Sequence, residues 1–284
     1  PYLISGFPVD FAIRTSTTTS AFRHQTASRL TGSNYMNTTS TAAQASDPTD
    51  FKFDYMNGWG ASALSTAFYS WMFRRAPNYM DVVCYTGTGG TGSRSLTHNL
   101  SAIPEFIILK RRDAVSSWQT GSMFTSTTVT RAVMNSNADQ DLNSLYSGQS
   151  IWGGQPTSSA FLIDAAGSFN TSTATYVAYL FATCAGVSKV GSYTGTGATQ
   201  TINCGFTGGA NFVLLKRTDT TGAWYVWDTA RGMVAGTDPS FELNSTAAEV
   251  NANSIYTTTG GFQIVSTAAG INASGGTYIF LAIA

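Results

Sequence analysis

Short apolar runs alternate with polar turn residues along the whole chain. Two of the clearest are FIILK at 106–110 and FVLLK at 212–216, and both are rich in branched residues. Two aromatic runs, TYVAYLF at 175–181 and TYIFLAI at 277–283, are also of strand length. Short apolar runs with Gly, Asn, Asp and Ser nearby are typical of β-strands. We therefore predict an all-β protein.

Sequence that favours helices is scarce. Charged residues make up only 11% of the chain, whereas the exposed faces of helices normally contain Glu, Lys and Arg. Thr, Ser, Asn and Gly take their place, and these residues suit short strands and turns. Only residues 61–68 and 246–250 have a composition compatible with brief helical turns.

The apolar runs recur in one order, which indicates an internal repeat. The pentapeptide YTGTG occurs at 85–89 and again at 193–197. In each case an apolar strand ending in a Lys-Arg pair follows, then a tryptophan (Trp118 or Trp224), then an aromatic closing strand. Landmarks in the same order, at a spacing of roughly one hundred residues, predict modules with the same strand order.

A weaker third copy precedes these two. Residues 9–15, VDFAIRT, match the apolar strand, with Phe11 in the place of Phe106, and residues 68–76, FYSWMFRRA, match the closing strand. No YTGTG element lies upstream of Phe11, so this copy lacks its opening strand. We therefore predict tandem β-sandwich modules, with a small barrel for each as the alternative. They are module one, a partial N-terminal module at 1–76, module two at 77–185 and module three at 186–284.

The missing strand has a structural consequence for module one. A sheet without it would expose unpaired amide and carbonyl groups along one edge, which proteins seldom leave bare. Polypeptide preceding Pro1, a strand from a neighbouring subunit, or docking onto another protein could cover that edge. We expect residues 3–14 to lie at or near an interchain contact, and Ala284 to be a natural end.

Composition narrows the range of functions. Fifteen basic and fifteen acidic residues cancel, so no basic field is available to bind DNA or RNA. No apolar run reaches the length of a membrane-spanning helix, and no signal peptide is visible. Cys84, Cys184 and Cys204 lack Cys counterparts in the other modules. We interpret them as small buried side chains rather than as disulfide partners or metal ligands.

No motif in the chain indicates catalysis. His24 and His98 lack a second ligand or a carboxylate at a useful spacing, and we interpret them as solvated or hydrogen-bonded turn residues. Residues 137–143 space oxygen ligands as a calcium loop does, but without the central Gly and the final Glu. Asp228 and Arg231 are expected to form an ion pair across a turn. We therefore predict neither an enzyme nor a cofactor or metal site.

Module three contains a longer series of distinctive segments. They are NFVLLKRTD (211–219), WYVWD (224–228), ARG (230–232), LNSTAAE (243–249), GF (261–262) and NASGGTY (272–278). This series resembles a repeat of tail fibre and related virion proteins of tailed bacteriophages, notably those of marine bacteria and cyanobacteria. Module two retains Lys110, Arg111, Trp118, Phe161, Asn170 and Tyr176 but not the Asp–Arg-Gly segment. Module one is more divergent, so the resemblance weakens towards the N-terminus.

The resemblance implies a virion component, fibrous and host-facing, with a jelly-roll or concanavalin-like sandwich fold and no catalytic residues. It implies a homo-oligomer, with a trimer expected, that contacts other virion proteins through its N-terminal end. A host-surface glycan or protein would be the other partner. Such a protein would be assembled in the host cytoplasm and belong to the extracellular particle, without membrane insertion.

The leading hypothesis is therefore a bacteriophage tail fibre or receptor-binding protein that mediates host attachment. A decorating or minor structural protein of the particle, binding other viral subunits, is the alternative, and composition does not separate the two. A polysaccharide-degrading tailspike is a third reading. It would need paired carboxylates in one cleft, and the acidic residues of this chain are scattered.

Overall fold

The chain is almost entirely β in the computed structural model, which describes residues 2–17, 23–60, 68–122, 128–136, 141–144 and 151–284. Over these residues it forms antiparallel sheets, with one short α-helix and one 3-10 turn. The predicted all-β sandwich fold is thus confirmed. No helix within the described ranges is both long and apolar enough to cross a bilayer.

Module one has its described strands in two sheets. They are β1 (Leu3–Ile4), β2 (Phe11–Ser16), β3 (Gln25–Ser28), β4 (Asn34–Asn37), β5 (Ala45–Ser46), β6 (Gly58–Trp59) and β7 (Phe68–Phe73). The larger sheet has the order β5-β4-β3-β2-β7, and β1 pairs with β6. The 3-10 turn Arg29–Thr31 follows β3. Strand β7 is therefore an edge strand of the described sheet.

Module two has a larger sheet of six strands and a smaller one of two. Its strands are β8 (Met80–Thr86), β9 (Ser93–Thr97), β10 (Phe106–Arg111), β11 (Gln119–Ser122), β12 (Thr128–Val133), β13 (Asp141–Ser144), β14 (Ala160–Asp164) and β15 (Thr175–Phe181). The large sheet has the order β8-β15-β10-β11-β12-β13, and β9 pairs with β14.

Module three has the same arrangement with one more strand in the smaller sheet. Its elements are β16 (Ser188–Thr194), β17 (Gln200–Asn203), β18 (Phe212–Arg217), β19 (Trp224–Asp228), β20 (Asp238–Glu242), β21 (Val250–Ala252), β22 (Ile255–Thr258), β23 (Gly261–Ile264), helix α1 (Ala269–Asn272) and β24 (Thr277–Ile283). The large sheet has the order β16-β24-β18-β19-β20-β21, and the small one β17-β23-β22.

The large sheets of modules two and three have the same strand order, as the landmark order predicts. Their registers also agree, since Phe106 pairs with Phe181 where Phe212 pairs with Ile283. Module one repeats the other five positions of this sheet, from β7 to β5, but has no described strand in the place of β8 and β16. The opening strand that the sequence lacks is therefore also missing from the sheet.

Residues 246–250, whose composition is compatible with a brief helical turn, do not form one. Residues 246–249 have no regular structure, and Val250 begins β21. The α-helix of this module lies instead at Ala269–Asn272, just before the closing strand. Of the other predicted helical turn, residues 61–67 fall outside the described residues, and Phe68 begins β7.

Each module has its own hydrophobic core between its large and small sheets. In module two the core contains Ile107, Leu109, Phe161 and Tyr176; in module three Val213, Leu215, Phe262 and Tyr278; in module one Val9, Ala12, Phe51 and Trp59. Successive strand residues point to opposite faces. These cores therefore use only half of each apolar run.

The other half of each run forms a fourth core that the modules share. Phe106, Ile108, Phe212 and Leu214 are all buried in it, together with Phe11 from module one. The first four residues occupy alternate positions of matched strands and share one buried face. This shared core lies between the modules. Each large sheet is therefore covered on both faces, on one by the core of its own module and on the other by the shared core. That explains why FIILK and FVLLK are continuously apolar rather than alternating.

Replacing Phe106 with Ala should lower the free energy of unfolding by about 3–5 kcal/mol, because the ring leaves a cavity in a packed core. The matched control is Val115→Ala, at a residue that is 75% exposed. The control should change stability by less than about 0.5 kcal/mol. Urea denaturation followed by tryptophan fluorescence measures both. A loss below about 1 kcal/mol for Phe106→Ala would contradict a packed core at this face.

Candidate functional site

The modules contact one another through matching positions. The indole of Trp118, the residue before β11, donates Nε1–H to the carbonyl oxygen of Asn37 at 2.9 Å. The indole of Trp224, the first residue of β19, donates to the carbonyl oxygen of Val133 at 3.1 Å. Asn37 and Val133 are the last residues of β4 and β12. Module two is thus joined to module one as module three is joined to module two.

His24 occupies the equivalent position in module one, before β3. Its side chain is fully buried. Burial lowers its pKa to about 3, with a further lowering by the charge of Arg23, while the main chain of Glu242 at the end of β20 acts in the opposite direction. Module one also contacts module three directly, because Thr38 donates its hydroxyl to the carbonyl oxygen of Leu243 at 2.6 Å. The three modules are therefore arranged cyclically.

The interpretation of His24 as a solvated or hydrogen-bonded turn residue was wrong. Neither of its ring nitrogens has a hydrogen-bond partner of normal geometry, and its ring packs edge-on against Phe241 of module three at 5.6 Å. His98 fits the interpretation, since its ring nitrogens lie at hydrogen-bonding distance from main-chain atoms of Leu100 and Thr157. The difference arises from packing between modules, which the local sequence does not reveal.

A buried ionic cluster lies at the junction of modules one and three. Arg231 Nε is 2.5 Å from Asp228 Oδ2, which confirms the predicted ion pair across the turn. Arg231 also contacts Glu249 at 2.8 Å and donates to the carbonyl oxygen of Val226. The indole of Trp71 in β7 donates to Asp228 Oδ2 at 2.8 Å. The Asp–Arg-Gly segment therefore contacts module one through Trp71.

A buried asparagine fixes the YTGTG turn in modules two and three. Asn272 is fully buried. Its Oδ1 accepts from Thr196 N at 2.9 Å and Gln200 Nε2 at 2.7 Å, and its Nδ2 donates to the carbonyl oxygens of Ala198 at 2.8 Å and Ser266 at 2.9 Å. Asn170 is bonded in the same way to Thr88, Arg94, Gly89 and Ala165. Its buried amide is likewise satisfied, as the interior of a protein requires.

The residues of YTGTG have separate structural roles. Tyr193 stacks on Tyr278 of the closing strand, with ring centroids 4.8 Å apart. A Cβ atom at Gly195 would lie 2.2 Å from the carbonyl oxygen of Ala273, and Gly197 has a φ of +67°. Only glycine fits both requirements. The role of Asn170 and Asn272 was not predicted from the sequence. Each of them precedes the tyrosine of its closing strand by six residues.

The lysines near the ends of strands β10 and β18 also bond to the main chain. The pKa of Lys110 is lowered to about 8 by burial, and its ammonium group donates to the carbonyl oxygens of Ser116 at 2.5 Å and Thr41 at 3.0 Å. Lys216 donates to the carbonyl oxygen of Gly222 at 2.5 Å. A lysine with a lowered pKa can act as a base or nucleophile. Both ammonium groups here are held by main-chain acceptors instead.

Many of the acidic side chains form ion pairs with arginines. Carboxylates within hydrogen-bonding reach of an arginine are those of Asp10, Asp50, Asp81, Asp113, Asp219, Asp228 and Glu249. Within the described ranges no group of three or more His, Cys, Asp and Glu residues could hold a metal ion. Residues 137–140 of the possible calcium loop lie outside the described residues.

The cysteines differ from their interpretation as buried side chains. All three are free thiols, but only Cys204 is buried, while Cys84 and Cys184 are partly exposed. Burial raises the pKa of the Cys204 thiol to about 11 and also raises that of Cys84. Raised pKa values disfavour the reactive thiolate.

Two grooves lie where modules meet. One, of about 290 Å³, lies between β7 and module three and is lined by Tyr69, Trp71, Phe212 and Asp228 among others. The second, of about 510 Å³, lies between modules two and three. Its lining includes Ile103, Pro104, Glu105, Lys189 and Asn203. We regard the first groove and the adjacent edge of β7 as the candidate interaction site. The groove lies beside the outer side of β7, where no described strand pairs with it.

Replacing Asn272 with Ala should lower the free energy of unfolding by roughly 2–4 kcal/mol, because buried main-chain donors and acceptors lose their partners. The exposed Asn253 provides the control, and Asn253→Ala should have little effect. Thermal and urea denaturation of both variants measure the difference. Equal stability of the two variants would contradict the structural role of the buried amide.

Replacing His24 with Phe should make the protein more resistant to acid. Because the folded-state pKa is about 3 and the unfolded value about 6.5, the unfolded chain takes up a proton that the folded chain does not. Stability is therefore lost as pH falls from about 6.5 towards 3. The positive charges of Arg23 and Arg231 also lower the pKa of His24. Urea denaturation at several pH values should show a shallower decline for His24→Phe, and parallel declines would refute the prediction.

Comparison with known proteins gives one family. No curated protein and no solved structure matches the chain significantly. Residues 75–284, which include modules two and three, match the family described as a domain of unknown function, DUF7483. Because that match covers more than half of the 284 residues, the chain belongs to the DUF7483 family.

Proposed function

We propose that this chain is a non-enzymatic structural protein of a bacteriophage particle, and that it acts as a tail fibre or receptor-binding protein in host attachment. The observation that supports this proposal is the resemblance of module three to the phage repeat, together with what the shared residues do. Lys216, Asp228, Arg231 and Asn272 all bond to the protein itself. A recurring motif whose residues maintain a module is suited to a rigid structural part.

The arrangement of the modules is compatible with a fibre. The family resemblance leads us to expect a trimer, and three similar modules arranged cyclically in one chain offer a related geometry for contact with a threefold shaft. The alternative is a decorating or minor structural protein that binds other viral subunits. A polysaccharide-degrading tailspike is less favoured, because the carboxylates described above form ion pairs with arginines.

Antibody fragments raised against the purified chain test the proposal on intact particles. We expect electron microscopy to show them on the tail, and we expect them to slow adsorption to host cells. Fragments against the major capsid protein are the control and should leave adsorption unchanged. Labelling confined to the capsid would favour the decorating role. Release of reducing sugars from host polysaccharide by the purified chain would contradict a non-enzymatic role.

A further inference from the structure

The outer edge of β7 is less covered than the equivalent strands of the other modules. Strands β15 and β24 each pair with a strand on both sides, whereas β7 pairs only with β2 among the described residues. The effect is visible in the side chains. Tyr69 is 39% exposed, while Val177 and Ile279, at the same register position, are 0% and 5% exposed. Within the described part of the chain, no strand covers the edge of β7 as β8 and β16 cover the equivalent edges.

The groove beside β7 lies where that cover would be. It is lined by Tyr69, Trp71 and Phe73 from β7 and, from module three, by Asp228, Ala230 and Ile283 among others. The segment 228–230 begins at the last residue of β19, as 28–30 begins at the last residue of β3, the corresponding strand of module one. In module two, the corresponding strand β8 packs on that turn, with Cys84 Sγ 3.9 Å from the carbonyl oxygen of Leu30. By the cyclic order, a strand beside β7 would pack on residues 228–230.

We propose that this edge binds an extended peptide strand, antiparallel to β7 and similar in sequence to β8 and β16. The inference does not depend on the proposed function. It rests on the two places in the same molecule where such a strand is present. Strand addition at an exposed sheet edge is a common mode of protein recognition, in which main-chain bonds give affinity and side chains give specificity.

The filled positions define the chemistry of the partner strand. Val82 lies opposite Tyr179 and Val190 opposite Leu281, the two positions that correspond to Trp71. Both valines are buried in the shared core. The partner strand should therefore have a branched apolar residue opposite Trp71. A charged residue there would have to lose its hydration on entering the apolar shared core, which is unfavourable.

The end of the partner strand is also defined. Tyr85 stacks on Tyr176 and Tyr193 on Tyr278, with centroid distances of 4.9 and 4.8 Å. The ring of Phe68 occupies the corresponding register position of β7. A partner strand ending in Tyr-Thr-Gly would thus place its tyrosine beside Phe68. The expected partner is a protein strand with a central valine and a tyrosine three residues later.

A labelled peptide with the sequence of residues 188–197, SKVGSYTGTG, tests this proposal with the whole 284-residue chain. We expect saturable binding by fluorescence anisotropy. The control peptide has Asp in the place of Val190 and should bind at least about tenfold more weakly, a difference of about 1.4 kcal/mol. Absence of saturable binding up to about 1 mM peptide, or equal binding of the two peptides, would overturn the proposal.

A fusion locates the binding site. In module three, residues 195–199 connect β16 to β17, so a copy of residues 188–197 placed before Pro1 should reach the edge of β7. The fused chain should melt at a higher temperature than the original and should no longer bind the peptide. A fusion with Asp in the place of Val190 is the matched control and should retain peptide binding. Peptide binding by the first fusion equal to that of the original chain would place the site elsewhere and overturn the proposal.

Discussion

The structure depends on one aromatic core in which all three modules meet. Phe11 of module one packs on Tyr179 of module two at 4.1 Å, and Phe73 contacts Phe212 of module three at 5.8 Å. Phe106 of module two contacts Trp224 of module three at 6.0 Å. Aromatic side chains bury large areas and favour such offset and edge-on contacts. Every large sheet therefore has to be apolar on both faces, which sets the character of its central strands.

The shared core also explains which polar side chains are buried. The indole bonds of Trp118 and Trp224 satisfy their donors with main-chain carbonyls of the neighbouring module. At the third junction the ring of His24 is buried without a bond of normal geometry. The Asp228–Arg231 pair lies nearby and binds Trp71. These polar groups thus lie at the junctions between modules.

Module one departs from the other two at several related positions. Arg14 occupies the register position of Leu109 and Leu215 and is held by Asp50 at 3.1 Å, with its guanidinium over the ring of Phe51. Burial lowers the pKa of this guanidinium. His24 replaces tryptophan, and the opening strand is missing from the described sheet. The least regular module is therefore the one at which the cyclic arrangement is incomplete.

Much of the fold could be predicted from the sequence. The length and spacing of the apolar runs identified strands β10, β15, β18 and β24, because period and flanking turns are local properties. The repeated landmarks predicted the common strand order, and the absence of YTGTG before Phe11 predicted the missing strand. The three-residue spacing of Asp228 and Arg231 was also sufficient to predict their ion pair. These features depend on residues that are close together in the sequence, so they can be predicted without knowing how the chain packs.

Other features were decided only by the tertiary structure. The continuous run FIILK is compatible with any strand buried on both faces, and only the packing shows that the second face belongs to a core shared by three modules. His24 was misinterpreted because its burial comes from Phe241, more than two hundred residues away in the sequence. The asparagines under the YTGTG turns could have been found from their equal spacing to the closing tyrosines. Their function as buried hydrogen-bonding centres depends on the turn being folded over them, which the sequence alone does not specify.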